Sequence, residues 1–502
     1  MIKIISRKSD LAIIQAQLVG DAIKTKKNNI SLDYIYKDTK GDIDLTTPLS
    51  QLPEIGVFTS DLRESLINEE ADLAVHSWKD LPIKLSEGTK IIGTLPRADM
   101  RDIIFFKKKN IKKIKKYKNL TLLTSSPRRE YNLNSFLNNA LPFETKKINF
   151  ENIRGNIPTR LNKYFNGESD GIVLAKAAID RLLANGDSNL SIEIREVIDN
   201  SVWLIPPLSE NPCAPAQGAI AIEVKDSRED IINLVEAIND PKTFESAQVE
   251  RKILSSYGGG CHQKIGVSCQ KKSFGDVLTL KGITEKNITL DKRIIKRKVK
   301  DEKKWFGVDP NKIYPSNIRD YKLFSREEIK EKTKKISALR NKNILATRGN
   351  VLERKDKIDS SNTLWTSGVK TWFQLAKKGF WVNGSFDSLG ENHDNLKFLS
   401  NNQWIKLTHS NSLDFSIKER LLTYKLIKNK IDENLAIKTH FYWMSGSAFE
   451  YAIEQFPIIL EKFHSCGPGN TYEIIKKNVT EDRIKIFLNY EDWKNEITNE
   501  KN

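Results

Sequence analysis

The chain has 502 residues, of which 39% are hydrophobic and 29% are charged, and it carries a formal net charge of +17. This length excludes a single core and favours three or four domains of a globular protein. No run of the sequence approaches the ~20 apolar residues of a membrane span, and residues 1–7 do not lead into the apolar stretch of a signal peptide. We therefore expect a cytoplasmic protein with no membrane partner, whose four cysteines are reduced.

The positive charge alone would fit a nucleic-acid partner or an anionic surface. The lysines, however, are mixed with Asn and Ile, as in residues 111–118, which indicates solvated faces and a general compositional bias. Because no nucleic-acid-binding motif accompanies the charge, we expect no nucleic-acid partner. The same positive field would favour a small polyanionic substrate.

The first 225 residues alternate short apolar runs with amphipathic stretches, which is the pattern of βαβ units. Ser9 or Asp10 can cap a first helix, and Ser126-Pro127 predicts the start of another. The apolar side of the first helix is expected to hold Leu11, Ile14, Leu18 and Ile23. The predicted strands cover residues 1–5, 72–76, 91–95, 120–124 and 171–175.

A third region begins with an apolar strand at 218–224 and reaches a helix at 246–255 before a glycine-rich loop. Lysine-rich residues 301–342 are expected to form a final helix and a linker. A distinct module starts at Asn343, where residues 344–348 predict a strand that ends at a loop.

The loop Gly258-Gly259-Gly260-Cys261 combines a thiol with residues that permit positive φ and the close approach of a bulky group. Such a cysteine could be an attachment point or a nucleophile. A buried cysteine packed beside a glycine turn is the alternative, and the local sequence does not separate the two.

Five arginines lie at strand-to-helix junctions, where free backbone N–H groups also favour anions. They are Arg7, Arg128, Arg129, Arg154 and Arg160. Because a guanidinium binds carboxylates bidentately, the set predicts a ligand with many carboxylates or phosphates. Surface ion pairs are the alternative for any one of them.

Asp80 follows a predicted strand and precedes Leu81-Pro82, which ends regular structure. A carboxylate there could protonate a leaving amine and then stabilise the resulting cation, or it could simply be a turn aspartate. His76 has no companions at metal-ligand spacing, so we expect no metal site. No phosphate loop or dinucleotide-binding fingerprint is present.

Together, these residues resemble the family of hydroxymethylbilane synthase, also called porphobilinogen deaminase, over roughly residues 1–300. The motifs are Arg7-Lys8-Ser9-Asp10-Leu11-Ala12 with Gln15, Gly41-Asp42, residues 75–82, Arg101-Asp102, residues 124–129, Arg154-Gly155-Asn156 with Thr159-Arg160-Leu161, Ala216-Gln217-Gly218-Ala219, Glu250-Arg251 and Gly259-Gly260-Cys261. Their number and order make a chance match very improbable.

The resemblance implies an α/β protein of three domains, two of which are similar to the halves of a periplasmic binding protein, followed by a further α/β module. The implied domains are residues 1–98 with 197–217, residues 99–196, a smaller α+β cofactor domain at 218–340, and the module at 341–502.

The resemblance also implies the chemistry. Cys261 would carry a covalent dipyrromethane cofactor, and Asp80 would assist loss of ammonia from each of four porphobilinogen molecules during haem biosynthesis, giving hydroxymethylbilane from a monomeric enzyme. The residues implied in binding the cofactor and the growing chain are Arg7, Ser9, Lys79, Thr124, Ser125, Ser126, Arg128, Arg129, Arg154, Gly155, Arg160 and Gln217. The family usually has lysine where Ile55 and Ser60 stand, so loop closure or carboxylate binding is expected to differ here.

The C-terminal module resembles the second half of uroporphyrinogen-III synthase in residues 443–449 and 466–471, and Thr347-Arg348 resembles that family's first strand end. It would close hydroxymethylbilane to uroporphyrinogen III, or it could be a docking module or a relic. The aromatic residues at 365–368 and 379–384 could line a pyrrole site or form an ordinary core. The alternative for the whole chain is a non-catalytic clamp that senses or carries an anionic ligand.

Overall fold

The computed structural model describes residues 1–39, 59–83, 86–184, 186, 188–259, 263–297, 303–391, 396, 398–410, 417 and 419–499. The motif Gly41-Asp42, the departure at Ile55 and the cofactor residue Cys261 lie outside the described residues. Within the described ranges, no helix has both the length and the apolar content to cross a bilayer. The chain forms two compact units, one of residues 1–138, 144–271 and 277–293 and one of residues 139–143, 272–276 and 294–502.

The N-terminal unit contains alternating strands and helices, as expected. Its strands, with the small sheet that follows them, are β1 (Ile2–Arg7), β2 (Leu32–Lys37), β3 (Leu73–Ser77), β4 (Thr89–Gly93), β5 (Asp102–Lys107), β6 (Asn119–Leu123), β7 (Lys147–Glu151), β8 (Gly171–Ala175), β9 (Ser201–Leu204), β10 (Ile220–Lys225), β11 (Lys264–Lys272), β12 (Gly275–Ile283) and β13 (Thr289–Lys296). Its helices are α1 (Asp10–Lys26), α2 (Ser60–Ile67), α3 (Ile111–Tyr117), α4 (Pro127–Ala140), α5 (Ile157–Asn166), α6 (Lys176–Ala184), α7 (Asn189–Asp199), α8 (Glu229–Glu236) and α9 (Pro241–Ser255).

Two five-stranded sheets organise this unit. The first has the order β2-β1-β3-β10-β4, with β1, β2 and β3 parallel and β10 antiparallel to both of its neighbours. The second has the order β7-β6-β8-β5-β9, in which β6 is parallel to β7 and β8. The chain leaves the first sheet after β4 and returns to it with β10, so residues 94–101 and 205–219 connect the two sheets. A mixed α/β fold is thus confirmed.

Helix α1 turns a different side toward the sheet than the sequence predicts. Its buried positions include Ala12, Ala16, Val19 and Ile23, whereas Leu18 is 40% exposed. Alanines at a spacing of four let the helix approach the strands closely, so the small residues face the core and the predicted Leu18 does not. Ser9 is the N-cap position, but its hydroxyl makes no capping hydrogen bond.

Helix α9 starts earlier than the predicted residue 246. Asp240 accepts a hydrogen bond of 2.7 Å from Thr243 N, and Pro241 occupies the first helical position. The helix leads to Gly258 and Gly259, after which β11, β12 and β13 form a three-stranded sheet in that order.

The C-terminal unit also contains two sheets. Its strands are β14 (Ile313–Tyr314), β15 (Phe324–Glu328), β16 (Lys342–Ala346), β17 (Thr363–Thr366), β18 (Gly384–Ser385), β19 (Gln403–His409), β20 (Arg420–Lys428), β21 (His440–Trp443), β22 (Phe463–Cys466) and β23 (Ile484–Ile486). Its helices are α10 (Lys332–Ser337), α11 (Val369–Lys377), α12 (Gly446–Gln455), α13 (Asn470–Ile475) and α14 (Tyr490–Thr498). The sheet orders are β15-β20-β19-β16-β17-β18 and β14-β21-β22-β23.

The structure corrects the expectation of a helix and linker at 301–342. Strand β14 pairs in parallel with β21, and β15 pairs antiparallel with β20, so both belong to the sheets of the C-terminal module. Helix α10 is only six residues long. The module therefore begins before residue 313 rather than at 341, and it contains two sheets, each with its own helices.

Candidate active site

Asp80 projects from a short turn at the end of β3. Residues Trp78–Asp80 form one 3₁₀ turn, closed by Leu81 N donating to Trp78 O at 3.2 Å. The Trp78 side chain is buried, with its ring 5.2 Å from that of Phe244, whereas Asp80 is exposed. The turn thus fixes the backbone in the core and leaves the carboxylate accessible to a substrate.

Cationic side chains surround this carboxylate. The pKa of Arg160 is lowered to about 10, first by burial and then by the charge of Arg129, while Asp80 opposes the shift and Arg154 adds to it. The pKa of Lys79 is lowered by burial, and the charge of Asp80 raises it in part. Asp80 thus interacts with Lys79 and Arg160, and Arg129 and Arg154 lie close enough to Arg160 to affect its charge, which is an environment for a ligand with several negative charges.

Arg128 and Arg129 are held by a carboxylate that the sequence analysis did not assign to the site. Asp102 accepts from Arg128 at 2.9 Å, Arg129 at 2.7 Å, Asn211 at 2.9 Å and Gln217 at 3.0 Å. The two guanidinium groups hold the pKa of Asp102 well below its ordinary value, against the opposing effect of burial. Both arginines are almost fully buried. Among the nitrogens of these two side chains, the Nε atoms have no hydrogen-bond partner within the described part of the chain.

The loops that precede α4 and α5 are joined to each other. Ser125 donates to Ile153 O and accepts from Ile153 N at 2.9 Å, and Thr124 N donates to Glu151 O at 2.9 Å. The predicted residues Thr124, Ser125 and Ser126 therefore lie beside Arg154 and Gly155. Arg160 donates to Gly155 O at 2.7 Å, which connects this loop to the cations near Asp80.

Arg7 is the last residue of β1 and Ser9 follows it, and β1 runs parallel to β3 with Ile5 opposite Ala74. Because the carboxyl ends of parallel strands meet at one sheet edge, both residues lie at the same edge as the Asp80 turn. The assignment of Arg7 and Ser9 to the ligand remains a prediction.

The described part of the glycine loop lies against Ile83, a residue of the segment that follows Asp80. Gly258 and Gly259 have φ of +97° and +71°, as the glycine pattern predicts. A Cβ on Gly259 would lie 2.7 Å from Cδ1 of Ile83, three residues beyond Asp80. Only glycine fits this approach, and Cys261 follows two residues later, outside the described residues.

A signal for the missed Asp102 does exist in the sequence. Asp102 begins the strand Asp102-Ile103-Ile104-Phe105-Phe106, and every residue of that strand is buried. A carboxylate in such a buried strand must be paired with a cation or hydrogen-bond donors, although the neighbouring sequence does not identify them. His76, for which no metal was expected, has its Nε2 3.0 Å from a carboxylate oxygen of Glu223, which Arg63 also contacts.

A second cluster lies in the C-terminal unit. Tyr321 OH accepts from Met444 N at 3.1 Å and is hydrogen-bonded to Ser445, and burial raises its pKa to about 12 although the charge of Arg348 opposes this. Partial desolvation, then the charge of Arg348, lowers the pKa of Arg326, which is hydrogen-bonded to Tyr424. Among the described residues, neither arginine forms an ion pair with a carboxylate.

Trp365, in the first of the two aromatic segments of this unit, belongs to the core rather than to a binding wall. Trp365 is 1% exposed, and its ring lies 5.5 Å from Phe386 and 5.9 Å from Trp404. Of the two alternatives that the sequence left open for Trp365, a pyrrole site or an ordinary core, its burial and ring contacts support the ordinary core.

Comparison with known proteins places residues 2–233 in the family described as porphobilinogen deaminase, dipyromethane cofactor binding domain. The chain is 37% identical over 272 residues to the porphobilinogen deaminase of Caldicellulosiruptor saccharolyticus, covering 54% of this chain and 84% of that protein. It is 35% identical over 292 residues to the probable porphobilinogen deaminase of Sulfurisphaera tokodaii, covering 58% and 89%. A nutrient binding protein from Burkholderia cenocepacia bound to methionine is similar at 12% identity and a TM-score of 0.27, over 52% of this chain and 98% of that structure, values that support no inference.

Proposed function

The chain belongs to the porphobilinogen deaminase family, and we propose that its first three hundred residues condense four porphobilinogen molecules head to tail, with loss of one ammonia at each step, to hydroxymethylbilane. The observation that carries this proposal is the exposed carboxylate of Asp80 among Lys79, Arg129, Arg154 and Arg160. Family membership favours this activity over a non-catalytic clamp. The three-domain architecture, with the two sheets as the clamp, is part of the same proposal.

In this proposal, Asp80 acts on the aminomethyl group of each porphobilinogen. Its carboxyl group delivers the proton with which ammonia leaves, and the resulting carboxylate then balances the positive charge of the azafulvene-like intermediate. The surrounding cations bind the acetate and propionate groups and so orient each ring. Because the carboxylate is exposed at a turn, one acid can serve every successive condensation.

The residues present fit a dipyrromethane group. It supplies the primer to which new rings are added, and we propose its attachment to the thiol of Cys261. Gly259, two residues before this cysteine, lies against Ile83, three residues after Asp80. The partnerless Nε atoms of buried Arg128 and Arg129 are donors that carboxylates of such a group would satisfy.

Intact mass spectrometry of the freshly purified protein tests the attachment. We expect the polypeptide mass plus that of a two-pyrrole adduct, and only the polypeptide mass for Cys261→Ser. An unmodified wild-type protein after supply of porphobilinogen, or an adduct on Cys213 or Cys269, would exclude this assignment.

We further propose that the C-terminal unit closes hydroxymethylbilane to uroporphyrinogen III. Three features support it: the two sheets of this unit, the arginines Arg326 and Arg348, which pair with no carboxylate among the described residues, and the buried Tyr321 beside Ser445. Cationic and hydroxyl donors of this kind suit the many carboxylates of a linear tetrapyrrole. Fusion would limit spontaneous closure to the type I isomer.

Incubation with porphobilinogen, followed by oxidation and separation of the porphyrins, tests both activities. We expect type III isomer from the wild-type protein, and a rise of at least about tenfold in the type I to type III ratio for Arg348→Ala, since a charge-assisted hydrogen bond contributes about 1.5–3 kcal/mol. Consumption of porphobilinogen is expected to remain at the wild-type rate.

The matched control for this experiment is Arg354→Ala, because Arg354 is an exposed arginine of the same unit that donates only a long hydrogen bond to Lys377 O. Its isomer ratio should equal that of the wild type. No porphyrin at all from the wild-type protein would refute the condensing activity, and type I isomer alone would refute the cyclase.

A further inference from the structure

We propose that Arg251 is a positioning residue that holds the catalytic turn against the helix leading to the cofactor loop. Its guanidinium donates through Nη1 to Trp78 O at 3.3 Å and to Leu81 O at 3.1 Å, and through Nη2 to Pro82 O. These carbonyls lie on both sides of Asp80. This inference rests on the proposed condensation of porphobilinogen.

The contact is part of a continuous face of α9. Phe244, Ala247, Arg251 and Leu254 recur at intervals of three and four, which places them on one side of the helix. Phe244 and Ala247 pack in the cluster that contains Trp78 and Leu81, and Leu254 packs in the cluster that contains Ile83. The helix therefore packs against Trp78, Leu81 and Ile83, on both sides of the exposed Asp80, and Arg251 supplies the polar contact.

The helix is itself fixed in the unit by the preceding residue. Glu250 is fully buried, forms two hydrogen bonds of 2.7 and 2.8 Å with Arg97, and accepts from Ala216 N and Cys269 N. A side chain that extends from such an anchored helix can hold the carbonyls of the turn in one place.

The consequence concerns two reacting groups at once. The turn ends in an exposed carboxylate, whereas α9 ends at Ser255 and continues through Gly258 and Gly259 toward Cys261. Arg251 holds the turn against α9, so the position of Asp80 is fixed relative to the helix that leads to the cofactor loop. Because a misplacement of about 1 Å can cost about 100-fold in rate, loss of Arg251 should affect turnover rather than substrate affinity.

The test is steady-state kinetics of Arg251→Ala, carried out on protein whose two-pyrrole adduct has been verified by intact mass. We expect kcat to fall about 10- to 100-fold, KM for porphobilinogen to change less than about threefold, and added guanidinium ion to restore part of kcat. The kcat of Arg251→Lys should lie between those of the wild type and Arg251→Ala, since an ammonium keeps the charge but cannot reproduce the planar fork of a guanidinium.

Arg228→Ala is the matched control, because Arg228 forms only peripheral ion pairs with Asp72 and Asp230; its kcat should be that of the wild type, and guanidinium should not change it. Two outcomes would overturn the positioning role. In one, adduct-bearing Arg251→Ala has the kcat of the wild type. In the other, its kcat falls in proportion to the amount of folded protein and guanidinium does not restore it. An inactive wild-type protein would instead refute the proposed condensation itself.

Discussion

Replacing Asp80 with Asn is expected to lower kcat for porphobilinogen consumption about 10²- to 10⁴-fold, the range that a positioned proton donor contributes. Asn has the same shape, so the turn and its contacts should persist, but it neither delivers a proton to the leaving amine nor carries the charge that balances the cation. The side chain is exposed, so folding should be unaffected. Ammonia release and porphyrin formation measure the loss.

Two variants show whether the loss is chemical. Asp80→Glu keeps a carboxylate at a displaced position and should recover part of the activity, whereas Cys261→Ser should lack both activity and adduct. Asp80→Asn should keep the adduct, because attachment precedes the turnover that the acid serves. If adduct-bearing Asp80→Asn turned over within about threefold of the wild type, Asp80 would not be the proton donor.

The sequence predicts the parts of the fold that local patterns determine. Three such features are present in the structure. The strand predicted at 344–348 is β16 at Lys342–Ala346, a helix begins at Pro127, and Gly258 and Gly259 have positive φ. They follow from an apolar run, a cap and the lack of a side chain. Strand β15 was missed for a physical reason. It is an edge strand with four of its five residues exposed, so it lacks the alternation that marks a half-buried strand.

The candidate site shows the same limit. The cations around Asp80 could be named in advance because they stand at strand-to-helix junctions. The pairing of Asp102 with Asn211, however, spans 109 residues, and that with Gln217 spans 115. Only the folded chain brings such groups together, so the sequence could assign Arg128, Arg129 and Gln217 to a ligand but could not reveal that they share a buried carboxylate.

That carboxylate gives the largest stability effect that we expect. Asp102→Asn removes the one carboxylate that, among the described residues, forms ion pairs with the nearly buried guanidinium groups of Arg128 and Arg129. Breaking a buried ion pair from one side costs about 3–5 kcal/mol, because the remaining charge stays desolvated. In a unit of this size, the thermal midpoint should fall by roughly 10 °C. Calorimetry of the full chain at pH 7 measures this shift.

The same network predicts how the effect depends on pH. The pKa of Asp102 is lowered in the folded protein, so its contribution is complete above the pKa of about 3.9 of an unfolded Asp and declines as the pH falls below that value. The difference in midpoint between wild type and Asp102→Asn should therefore be constant from pH 5 to 8 and shrink below about pH 4. Asp33→Asn, the same change on an exposed strand residue, should shift the free energy of unfolding by less than about 0.5 kcal/mol. A midpoint for Asp102→Asn equal to that of Asp33→Asn would mean that the two arginines do not depend on this carboxylate, and the ligand-binding role of their guanidinium groups would then have to be derived from another arrangement.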